Sequence, residues 1–176
     1  MSDRQFTRGR IVAALEALGE DLRSAGIHGQ VFIVGRAAMA LAYSTRRVTR
    51  DIDAVFEPKA AIYEAAKRVA ERLELPDDWL NAGVKGFLPG VDRDAIPLPE
   101  VDGIEVTTAS PRYLLAMKLL AMRFGEDDED IRILLQQTRI RSPDEALALL
   151  AQMYPHREPA LKTRLFLDEI LRSDGD

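Results

Sequence analysis

The chain has no cysteine, so disulfides, thiolate zinc sites and a cysteine nucleophile are excluded. Histidine occurs twice, at His28 and His156. The two are isolated, give no metal-ligand spacing and make a poor basis for a Ser/His/Asp triad. No apolar run approaches the roughly 18–20 residues that span a bilayer. The basic first ten residues lead into an amphipathic segment that contains acids, unlike the apolar region of a signal peptide. A cytoplasmic protein without membrane partners is therefore expected. Positive charge is also short overall: the net charge is −5, which argues against binding nucleic acid by bulk electrostatics. What is present is 176 residues, 47% hydrophobic and 30% charged, the size and composition of a soluble globular domain with a proper core.

The informative stretch runs from Gln30 to Glu57. Residues 31–35 form an apolar, β-branched run too short for a helix, and predict a buried strand ended by Gly35. Residues 36–43 are good helix formers. A basic turn over residues 45–50 holds Arg46, Arg47 and Arg50. Residues 51–56 then predict a second strand. Its period of two puts Asp51 and Asp53 on one face, roughly 6–7 Å apart along the strand. A glycine at a helix start lets a phosphate approach free backbone N–H groups. Two carboxylates on one face can hold Mg²⁺, which takes oxygen ligands and bridges protein acids to substrate phosphates. Together these features point to a nucleoside triphosphate held by its phosphates for in-line attack.

Around this stretch, periodicity predicts helices over 6–24 and 58–75. Residues 84–106, rich in Gly and Pro, predict two or three short strands, and Gly103-Ile104-Glu105-Val106-Thr107-Thr108 predicts a good one. Helices follow over 110–124 (Ser110 cap, Pro111 at the first position), 127–138, 142–153 and 158–172. Ser142 and Glu145 have capping-box spacing. The expected class is α+β: a small mixed sheet flanked by helices over residues 1–110, then a helical part over 111–176 packed on it in one compact or tightly two-lobed unit.

Three blocks, T-R-D-I-D-A-V-F, W-L-N-A-G-V-K-G-F-L-P-G and A-S-P-R-Y-L-L-A-M-K-L-L-A-M-R, carry a resemblance. Together with the strand–Gly–helix–Asp-x-Asp order, they resemble minimal nucleotidyltransferases of the polymerase-β-like superfamily. More specifically, they resemble a bacterial family of unknown function related to AbiE/Men-type toxin–antitoxin toxins. The resemblance covers residues 29–150. It implies an Mg²⁺-dependent enzyme that transfers a nucleoside monophosphate from NTP to an acceptor, with the 3′ end of tRNA as the favoured acceptor and a cognate antitoxin as a further partner. On that basis Asp51 and Asp53 are catalytic and metal-binding, Glu105 is the third carboxylate, and Lys118, alone in an apolar helix, contacts the triphosphate. Gly35, Arg36 and Arg50 would complete the nucleotide site. Asp127 and Asp130 resemble an acid pair that follows the lysine in those toxins, but sit in a run of acids that reads as a solvated cap. Arg36 replaces the second small residue that the family pattern carries. It opens an alternative: a degenerate module that binds a nucleotide or a protein partner.

Overall fold

Thr7 caps the first helix, its hydroxyl accepting from the Arg10 N–H, and α1 runs Arg8–Ser24 with Ile11, Leu15, Leu18 and Leu22 on its buried stripe. Phe6, expected inside that helix, instead forms an antiparallel bridge with Thr49 and is fully buried. These features come from a computed structural model that describes residues 5–44 and 46–173. Thr45, the first residue of the expected basic turn, lies outside the described residues.

The strands are β1 Gln30–Ile33, β2 Ile52–Glu57, β3 Leu80–Asn81, β4 Ile96–Pro97 and β5 Glu105–Thr108, in the order β3-β2-β1-β5-β4. β1 pairs antiparallel with β2 and parallel with β5. β2 pairs parallel with β3, and β4 antiparallel with β5. The sheet is mixed, and with the helices makes the α+β architecture expected. One face is dry, with Val31, Ile33, Ile52, Ala54, Phe56 and Val106 all buried. The alternate positions Phe32, Asp53, Val55 and Thr107 are half-exposed and share the other face.

Between β1 and β2 the chain forms a short helix, α2 (Gly35–Ala38), which widens into a π-helical turn over Met39–Tyr43. The expected helix over 36–43 is thus present but irregular. Helix α3 (Lys59–Leu73) places Ile62, Ala66 and Val69 in the core. Trp79 is fully buried, and its indole N–H donates to the Ala66 carbonyl at 3.0 Å.

The chain divides into two compact units, Met1–Gly86 with Asp94–Ala109 and Phe87–Arg93 with Ser110–Asp176. The second contains α4 (Pro111–Leu120), α5 (Asp128–Thr138), α6 (Pro143–Met153) and α7 (Leu161–Ser173). Ser110 and Ser142 cap α4 and α6, and the Ser142–Glu145 capping box is formed. Segment 87–93 joins this unit through specific bonds. The Tyr113 hydroxyl donates to Gly90 O at 2.7 Å and the Tyr154 hydroxyl to Phe87 O at 2.6 Å. Asp92 accepts from the Ser110 N–H and hydroxyl. Burial pushes the Tyr154 phenol up to about 12, so both bonds have a neutral donor at physiological pH. Among the described residues, no helix is long and apolar enough to cross a membrane.

Candidate active site

Asp53 is the second residue of β2, and its carbonyl accepts from the Val34 N–H at 3.0 Å, which sets the end of β1 beside it. Gly35 comes next and adopts φ +64°, a left-handed conformation that L side chains rarely take. A Cβ there would approach the Asp53 Oδ2 to 3.4 Å, an ordinary contact. The backbone conformation, not crowding, therefore selects glycine, and it turns the chain directly over the carboxylate.

Asp51 sits just before β2, half-buried. Its backbone is fixed by the Thr49 hydroxyl, which donates to Asp51 O at 2.9 Å. Its carboxylate Oδ2 accepts from the Asn81 Nδ2 at 3.1 Å. Asn81 is the register partner of Asp53 on β3. Its own Oδ1 accepts from the Gly83 N–H at 3.3 Å, which fixes the amide. Sequence reading missed Asn81 because a two-residue strand has no periodicity to read. The Asn-x-Gly spacing, typical of an Asx turn, was the signal available.

Burial, then the charges of Asp53 and Asp78, push the Asp51 carboxyl above its ordinary value; the Asn81 hydrogen bond and the Arg36 charge pull it back only in part. Arg36, in the first turn of α2, acts on Asp51 through its charge. The residue that breaks the family pattern therefore faces the acid pair electrostatically.

The register moves one expected member away. Glu105 lies on the same sheet face, but in the row of Gln30 and Glu57. Asp53 is four residues further along β2, about 13 Å at the strand rise. Glu105 is exposed, accepts from the Gln30 Nε2 at 2.9 Å and lies 3.9 Å from the His28 Nε2. Nearer Asp53 in that direction come Thr107 of β5 and, just past the strand's end, Ala109, neither of them an acid. Parity was read from the sequence; the row was not.

Lys118 belongs to the second unit and is buried, 8% exposed, with its Nζ 2.7 Å from Asp127 Oδ1 and 2.8 Å from Asp130 Oδ2. Asp127 and Asp130 are 2% and 1% exposed, so the solvated cap expected there is instead a buried ion cluster. Asp127 also accepts from the Arg123 N–H at 2.9 Å. Burial pushes its carboxyl up, but the Lys118 hydrogen bond and charge, with the Arg123 N–H, hold it below the ordinary value. The Lys118 ammonium is thus held between two buried carboxylates of its own unit. Arg50 is exposed and makes no ion pair among the described residues.

Among the described residues no group of three or more His, Cys, Asp or Glu could hold a metal ion. In the first unit Asp51 and Asp53 offer carboxylate oxygens, with the two acids close enough for the charge of Asp53 to act on Asp51. That donor set fits Mg²⁺, whose remaining positions are filled by water and substrate phosphates.

A family model described as "nucleotidyltransferase of unknown function (DUF6036)" matches residues 11–154. This span takes in the acid pair, Gly35, Asn81 and most of the helical unit. No curated protein and no solved structure matches the chain.

Proposed function

The chain belongs to that nucleotidyltransferase family, and from this premise we propose that it moves a nucleoside monophosphate from NTP to an acceptor hydroxyl, with pyrophosphate as leaving group. The observation that carries the reading is the Asp51–Asp53 pair beside the left-handed Gly35, with Asp51 pushed above its ordinary pKa by burial and by Asp53. Neighbouring carboxylates in a half-buried position, one of them made harder to ionise by the other, are suited to binding a cation.

Asp51 and Asp53 would hold Mg²⁺, which when bound neutralises charge on the transferring phosphate. Asn81 orients the Asp51 carboxylate through its Nδ2. The backbone N–H groups that follow the Gly35 turn, and the Arg36 guanidinium, would bind phosphate oxygens beside the acid pair. The acceptor oxygen forms a bond to the α-phosphorus as the bond to the β-phosphate oxygen breaks. With Glu105 on β5, four rows of the sheet away from Asp53, Asp51 is the carboxylate suited to take the hydroxyl proton.

The three sequence blocks that resemble AbiE/Men-type toxins support a finer reading: a cytoplasmic toxin whose acceptor is the 3′ end of tRNA and whose activity a partner antitoxin restrains. The decisive assay incubates the protein and its Asp53→Ala variant with each labelled NTP, Mg²⁺ and total RNA. Label on RNA with the parent and none with the variant supports the reading. Label on protein keeps the transfer and discards the tRNA acceptor. No label with any nucleotide overturns the transfer itself.

One observation favours a second reading, a binding module that keeps the fold without catalysis: the Arg36 cation already bears on Asp51. Under it, Arg36→Gly creates transfer activity where the parent has none. Under the first reading, the same change weakens NTP binding about tenfold, ~1.4 kcal/mol, measured by calorimetry.

A further inference from the structure

The chain carries net charge −5, yet residues 5–15 and 44–50 together hold five arginines (Arg8, Arg10, Arg46, Arg47 and Arg50) and no acid. The Phe6–Thr49 bridge sets these two stretches side by side, with hydrogen bonds of 2.7 and 3.0 Å in opposite directions. The Arg10 guanidinium lies over the Phe6 ring, 5.3 Å from its centroid. Arg46 and Arg50 are exposed and make no ion pair among the described residues, whereas Arg8 is paired with Glu100. The ridge ends at the acid pair, because the Thr49 hydroxyl donates to Asp51 O.

The chemistry of the patch selects its partner. None of the exposed large hydrophobics of the described residues lies in either stretch. Surfaces for proteins are organised around apolar or aromatic anchors, and this one has none exposed. A ridge of guanidinium groups is suited to phosphates, which each can bind bidentately, and the gain comes from counterion release rather than apolar burial. We propose that Arg10, Arg46 and Arg50 form the track for the phosphate backbone of a nucleic-acid acceptor and deliver its end to Asp51 and Asp53. This rests on the transfer reading above, and assigns Arg50 to the acceptor instead of the nucleotide. It also reconciles an acidic protein with a polyanionic substrate: the positive charge is local and lies beside the chemistry.

The test is fluorescence anisotropy of a labelled RNA hairpin with a single-stranded 3′ end, titrated with the full chain from about 50 to about 200 mM salt. The parent is expected to bind with an affinity that falls steeply with salt. Arg46→Glu is expected to weaken binding about tenfold at low salt and to take roughly one off the log–log slope. Arg46→Gln, which any folded variant tolerates at an exposed position, should fall between the two. Asp53→Asn should bind at least as well as the parent, having lost a negative charge. A DNA hairpin of the same sequence that binds equally supports recognition through the backbone alone. Parent binding that is absent or independent of salt, or unchanged by Arg46→Glu, overturns the track. So does an acidic peptide that binds this ridge in preference to RNA.

The two readings fail separately. Label transfer without any Arg46 dependence of RNA binding removes the track and leaves the enzyme. Salt-dependent, Arg46-dependent binding without transfer removes the enzyme and leaves a nucleic-acid surface.

Discussion

Two pairs of aspartates, one in each unit, show opposite uses of the same side chain. Asp127 and Asp130 are buried, share the Lys118 ammonium at 2.7 and 2.8 Å, and Asp127 is held below its ordinary pKa. Asp51 and Asp53 are half-buried, and Asp51 is raised by burial, by its neighbour and by Asp78. In the first pair the charge is answered inside the protein, so the pair serves the fold. In the second, the Asn81 hydrogen bond and the Arg36 charge offset the rise at Asp51 only in part.

The largest effect should separate activity from stability. Asp53→Asn is expected to reduce nucleotide transfer about 10⁴-fold, ~5.5 kcal/mol, while its melting temperature stays at or above the parent's. A variant less stable than the parent would mean that the pair serves the fold after all. Next comes the mirror experiment. Lys118→Met leaves two buried carboxylates without their cation and should cost about 3–5 kcal/mol in urea unfolding. A loss below about 1 kcal/mol, the range of surface pairs, would erase the contrast.

The pH dependence sharpens the comparison because the signs differ. Asp127 is lowered in the fold, so its contribution is complete above the ordinary carboxylate range and lost as the pH falls through its folded value. Asp51 is raised in the fold, so its ionisation costs stability, a cost absent in acid and complete once the pH exceeds its folded value. In chemical unfolding near pH 7, Asp127→Asn should destabilise and Asp51→Asn should stabilise by a few tenths of a kcal/mol after solvent screening; near pH 3 both differences should shrink toward zero. The smallest effect expected is at Asn81. Asn81→Ala frees the Asp51 carboxylate and should lower transfer about tenfold, ~1.4 kcal/mol, with NTP affinity little changed.

Much of this was legible in the sequence where the determinants are local. The strand–Gly–helix–strand unit around Gly35 and the caps at Ser110 and Ser142 follow from short-range steric and hydrogen-bonding rules, whereas Asp51, expected as the first residue of the second strand, sits just before it. What was not legible depends on pairing across the chain. Glu105 has the right parity, yet its row is fixed by pairing with Gln30, 75 residues away. Lys118 and its acids lie nine and twelve residues apart across a turn whose geometry no periodicity describes. An isolated lysine on an apolar helix and a run of acids look like a site and a solvated cap until the fold closes them on each other. The expected helix begins at Phe6, but the bridge to Thr49, 43 residues on, takes that residue out of it.

That bridge makes the N-terminal segment mechanically continuous with the acid pair. Phe6 stacks on Trp79 with ring centroids 6.4 Å apart, Thr49 is bonded to Phe6 through its backbone and to Asp51 through its hydroxyl, and the Trp79 carbonyl accepts from the Ile52 N–H at 2.7 Å. These few residues work as a keystone: the strand that carries the carboxylates is braced by a segment more than 40 residues upstream in the chain. Displacing residues 5–7 is therefore expected to perturb the strand that carries Asp53 without any contact at the carboxylates themselves.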